Sequence, residues 1–99
     1  MRLTERQVQD IKAIIRAEVG AKASVIVFGS RTDDSKKGGD LDLLVQVPTP
    51  VERPALVSAK LSTRISDIMH GLKVDVILQS PATKTAPIHR IARETGIQI

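Results

Sequence analysis

The sequence predicts an α/β protein, more closely an α+β fold in which helices pack on a small mixed β-sheet. Short β-branched apolar runs alternate with segments whose apolar residues recur every 3.6 positions, and Gly or Pro separates most of them. Acidic residues also interrupt two of the strand-like runs, at Asp40-Leu41-Asp42 and at Val74-Asp75-Val76. The predicted order is α-β-α-β-α-β-α.

The first helix spans residues 4–20. Thr4 and Gln7 have capping-box spacing, Val8, Ile11, Ile14, Ile15 and Val19 form one apolar face, and Gly20 ends the element. Ser24 to Phe28 is a short β-branched run closed by Gly29, the first strand. Gly29-Ser30-Arg31 opens a turn and a short helix, which Lys36-Lys37-Gly38-Gly39 breaks. Asp40 to Val47 is the second strand, stopped by Pro48 and Pro50. Pro54 starts a helix over about 55–70 with Val57, Leu61, Ile65 and Ile68 on one face, and Gly71 terminates it. Lys73 to Leu78 is the third strand. A last helix near 85–95 turns Ile88, Ile91 and Ala92 inward, and Gly96 stops it. Ile97 and Ile99 then form either a short edge strand or a tail that faces a partner.

Alternation along a strand sets Asp40 and Asp42 on one face, with Leu41 and Leu43 turned to the core. Carboxylates placed side by side repel one another unless a cation or a proton offsets their charge, so Mg²⁺ or Mn²⁺ is the natural ligand. If Asp75 joins them, the second and third strands start side by side and run parallel. The intervening helix provides the crossover that a parallel pair needs. The first strand must deliver Gly29-Ser30 to the same place, so it runs antiparallel to the second.

Ninety-nine residues make a single domain, 1–99, with no room for a separate acceptor-binding module. The 15 Lys and Arg outnumber 11 Asp and Glu, but they are dispersed. Phe28 is the one aromatic residue and lies in an apolar run, so no stacking platform exists and direct nucleic-acid binding is not expected. Without cysteine, disulfides and thiolate metal sites are excluded. No signal-like or membrane-spanning apolar run occurs, and the expected location is the cytoplasm.

Phe28-Gly29-Ser30, nine further residues, Asp40-Leu41-Asp42-Leu43 and the later Val74-Asp75-Val76 together resemble the signature of the polymerase-beta-like nucleotidyltransferase superfamily. The small size and the run Val27-Phe28-Gly29-Ser30-Arg31 are most similar to its minimal nucleotidyltransferases, the antitoxins paired with HEPN-domain ribonuclease toxins. The resemblance covers nearly the whole chain and implies the polymerase-beta-like fold. It also implies a Mg²⁺-dependent protein nucleotidyltransferase that uses two ions and moves AMP from ATP to a tyrosine of a cognate HEPN toxin in a hetero-oligomer. Gly29, Ser30 and Arg31 would then hold the triphosphate, while Asp40, Asp42 and Asp75 would bind metal and serve catalysis. The alternative is an antitoxin that only binds and occludes its toxin.

Each residue has a plainer reading. Gly-Ser after a strand is a common turn, Asp40 a strand-opening polar residue and Asp42 an outward-facing one. Asp75 resists such a reading, because burying an unpaired acid in that apolar run would be costly. Lys36 and Lys37 suit a solvated loop, and Asp33 and Asp34 a turn surface. His70 suits a helix C-terminus and His89 the last helix. Neither histidine has a His or Cys at ligand spacing, so neither is assigned zinc or catalysis.

Overall fold

The computed structural model describes residues 3–29, 40–81 and 87–99. In chain order the elements are α1 (Glu5–Val19), β1 (Ser24–Phe28), β2 (Leu41–Gln46), α2 (Pro54–Ile68), β3 (Val74–Gln79), α3 (Pro87–Thr95) and β4 (Ile97–Gln98). The short helix expected after Gly29 falls outside the described residues.

Local chemistry sets the boundaries. The Gln7 amide donates to Thr4 Oγ1 at 3.1 Å and the Thr4 amide to Gln7 Oε1 at 2.9 Å, so the capping box satisfies two donors at the start of α1. Arg53 adopts a left-handed conformation that aims the chain into Pro54 at the start of α2. At the far end His70 and Gly71 both take positive φ, and Gly71 N–H returns to the Ser66 carbonyl at 2.9 Å. Ser66 Oγ also donates to the Leu72 carbonyl at 2.7 Å, tying the turn to the helix it leaves.

The strands form one mixed sheet in the order β3-β2-β1-β4. As the sequence requires, β1 is antiparallel to β2 and β2 is parallel to β3. The open choice at the C-terminal end resolves to a strand: β4 pairs antiparallel with β1, matching Val27 to Ile97 and Ile26 to Gln98.

Alternation gives the sheet two apolar faces. On one, Val25, Val27, Leu41, Leu43, Val45, Val74 and Leu78 meet Ile11 and Ile15 of α1 and Leu61 and Ile65 of α2. Leu41, Leu43, Leu61 and Ile65 are wholly enclosed there, each contributing roughly 2 kcal/mol by burial. On the other face, Ile26, Phe28 and Leu44 meet Ala92 of α3. The layers are therefore α1 and α2, the sheet, and α3.

The inward face of α3 differs from the one expected. His89 and Ala92 are buried, whereas Ile88 and Ile91 are 40% and 52% exposed. Close approach decides it. A β-carbon on Gly96 would overlap the Ile26 side chain and the carbonyls of Ala92 and Val27, so this end of α3 lies hard against β1 and admits only small residues. Among the described residues no helix is long and apolar enough to cross a membrane.

Candidate active site at the mouth of the sheet

The parallel pairing of β2 with β3 sets Asp42 directly opposite Asp75, and the antiparallel pairing of β1 with β2 sets Phe28 opposite Asp42. Gly29 follows Phe28 and so reaches the same mouth of the sheet. Asp42 and Asp75 stand on β2 and β3, on the sheet face that carries α3, and Gly29 meets them just past the end of β1. Asp40 stands just before β2, two residues from Asp42.

The contacts are close. Gly29 has φ +80°, and a β-carbon there would collide with Oδ2 of Asp42. Only glycine lets backbone and carboxylate meet at that point. The Asp75 carboxyl stands near enough to Asp42 to act on its proton. Burial raises the Asp42 carboxyl above its ordinary value of 3.8, and the neighbouring charges of Asp75 and Asp40 raise it further, with Lys73 opposing them. Lys73 Nζ stands 3.6 Å from Oδ2 of Asp40, in an ion pair that is largely exposed.

Asp75 itself is exposed. The expected cost of burying it is not incurred, because β3 is an edge strand and α3 packs over β1, leaving this corner of the face open. Ser30 and Arg31 lie outside the described residues, as do Asp33, Asp34, Lys36 and Lys37. His70 is exposed in the turn after α2, and His89 is buried in α3.

When both are ionised, Asp42 and Asp75 supply acceptor-only oxygens side by side, with Asp40 near enough to raise the Asp42 carboxyl. This donor set and its mutual repulsion fit a hard divalent cation. As placed, Asp40 pairs with Lys73, and among the described residues no three His, Cys, Asp or Glu side chains converge into a metal-holding group. Sequence reading missed Lys73 as a member of the site. Its signal was its place two residues before Asp75, at the start of the strand beside Asp40.

The geometry has counterparts. The family described as nucleotidyltransferase domain matches residues 8–97. A chain from the solved structure of a tri-AMPylated Shewanella oneidensis HEPN toxin in complex with MNT antitoxin is 15% identical, with a TM-score of 0.67 over 97% of this chain and 71% of that one. A chain from a toxin–antitoxin structure with AMP-PNP is also 15% identical, with a TM-score of 0.66 over 97% of this chain and 72% of that one. A further Shewanella oneidensis structure is 11% identical with a TM-score of 0.67, covering 97% of this chain and 71% of that one. At such identities the likeness is one of fold. No curated protein sequence matches the chain significantly.

Proposed function

The chain belongs to the nucleotidyltransferase domain family, and from that premise we propose that it is a metal-dependent protein adenylyltransferase acting as an antitoxin in the cytoplasm. Its donor is ATP. Its acceptor is a tyrosine of a cognate HEPN-family ribonuclease toxin, bound as a hetero-oligomer, and AMP transfer silences that toxin. The observation that carries the reading is the meeting of Gly29, just past β1, with Asp42 on β2 and Asp75 on β3. The neighbours of like fold include a tri-AMPylated toxin with its antitoxin and a complex with AMP-PNP, which support the choice of donor and partner.

The chemistry assigns each residue a task. The bare backbone at Gly29 admits a phosphate close to the sheet, and Ser30 and Arg31 add a hydroxyl and a positive charge to hold the triphosphate. Asp40, Asp42 and Asp75 would hold two Mg²⁺ or Mn²⁺ ions, which when bound neutralise the triphosphate and lower the pKa of the attacking hydroxyl. Asp75, exposed at the mouth, accepts the hydroxyl proton. The acceptor oxygen bonds to the α-phosphorus while the bond to the bridging oxygen breaks and pyrophosphate leaves.

The test is to incubate the protein with the product of the gene adjacent to its own, Mg²⁺ and each NTP in turn, then record intact masses. The expected result is one or more AMP increments on the toxin with ATP. No increment with any NTP would overturn the proposal.

A further inference from the structure

The edge strand β3 borders an open polar groove. Ser62, Thr63, Ser66 and Asp67 of α2 line it, with Lys73 and Val74 at the start of β3, around a space of about 290 Å³. Strand β3 is the outer member of the sheet and pairs only with β2 among the described residues. The Leu41 amide donates to the Lys73 carbonyl at 3.0 Å and the Val47 amide to the Gln79 carbonyl at 2.9 Å. Odd-numbered residues of β3 therefore turn their backbone groups toward β2. Alternation leaves the N–H and C=O of Val74, Val76 and Leu78 aimed outward, away from the sheet.

Natural edges are usually blunted by Lys, Pro, a bulge or a covering segment. This one runs Val74-Asp75-Val76-Ile77-Leu78-Gln79, with Asp75 as the charge within the strand and Lys73 just before it, and among the described residues no strand pairs with its outer side. Asp75 is also the acid nearest that edge, while Gly29 lies at the opposite end of the row.

We propose that the acceptor protein docks an extended segment on β3 as an added strand, seated on the Val74, Val76 and Leu78 backbone beside the α2 groove. The inference rests on the proposed transfer reaction, and the reason for it is directional. In an in-line displacement the attacking oxygen and the leaving pyrophosphate lie on opposite sides of the α-phosphorus. With phosphates held at Gly29, on the β1 side, the attacking hydroxyl arrives from the β3 side. A strand added there lies about 4.8 Å from β3. Its residues alternate between the face that carries Asp75 and the face covered by α2. A hydroxyl-bearing residue then comes beside Asp75, and its chain neighbours point toward Ser62 and Ser66.

Amide hydrogen exchange on the wild-type protein, with and without the product of the gene adjacent to its own, tests the docking directly. Slowed exchange at Val74, Val76 and Leu78 on complex formation, alongside AMP transfer, is the expected result. A second probe is Val76→Pro, which removes an outward donor and no bond to β2, so the fold keeps its ladder. ATP affinity should be unchanged, and transfer to the toxin at limiting toxin should fall roughly five- to tenfold. Transfer without protection of those amides in the wild-type protein, or full transfer by folded Val76→Pro, overturns the docking edge and leaves the enzyme reading intact. Protection without transfer in the wild-type protein overturns the enzyme reading and upholds the edge.

Discussion

Gly29 and Asp42 approach so closely across the β1–β2 pair that a β-carbon on the glycine would occupy the space of the aspartate's Oδ2. Replacing Gly29 by Val adds a branched side chain there and forces it to positive φ, at a conformational cost of about 1–2 kcal/mol. Calorimetry on folded Gly29→Val should show ATP affinity lowered severely. Unchanged affinity would remove this turn from the nucleotide site.

The raised Asp42 carboxyl links the site to pH. Because the folded protein holds this proton more tightly than the unfolded chain does, stability of the cation-free protein is favoured below 3.8, the ordinary value. It falls as pH rises from there through the raised folded value, and the deficit persists at neutral pH. Asp42→Asn should flatten that part of the pH dependence and match or exceed wild-type stability at pH 7 without divalent cation. The same variant should lower AMP transfer by at least about a hundredfold. Adding Mg²⁺ should stabilise the wild-type protein more than the variant. Thermal unfolding across pH, with and without Mg²⁺, checks each point, and transfer at the wild-type rate would refute the metal assignment.

Lys73 acts on Asp42 from a distance, opposing the rise in its carboxyl pKa. Lys73→Ala should therefore raise that pKa further, as read from the Asp42 carboxyl carbon in an NMR titration. Global stability should change by less than about 1 kcal/mol, since the Lys73–Asp40 pair is exposed. A pKa that stays in place would mean that Lys73 does not shape the charge of the cluster.

Covalent neutralisation and simple occlusion part company on a double mutant. Asp40→Asn/Asp42→Asn should still bind the toxin yet fail to protect cells, and toxin recovered from the wild-type complex should stay inactive after separation. Full protection by a folded, toxin-binding double mutant would instead favour occlusion.

Much of this was legible in the sequence, for physical reasons that differ by element. The capping box at Thr4 and Gln7, the stop at Gly20 and the alternation through Asp40-Leu41-Asp42-Leu43 are local, and the structure reproduces them. Strand directions followed from asking that distant acids meet, and the Asp42–Asp75 register agrees. The inward face of α3 was not legible, because a helix bearing Ile88, Ile91 and Ala92 fits two stripes and the tight seat at Gly96 is a tertiary fact. The exposure of Asp75 likewise depends on where α3 lies, which no spacing within β3 reveals. Ser30 and Arg31, read from the motif after Gly29, fall outside the described residues.

The direct register of Asp42 with Asp75 has an evolutionary consequence. Their separation is fixed by ladder bonds between β2 and β3, not by the crossover that joins those strands. Residues lost or gained in the turns on either side of α2 need not move one acid relative to the other, provided the ladder keeps its register. A one-residue slip of β3 would instead carry Asp75 to the opposite side of the sheet, among the apolar side chains under α2. The protein is thus tolerant of length variation in the crossover and intolerant of it within six residues of strand, Val74–Gln79. Insertion scanning would expose that boundary as an abrupt one.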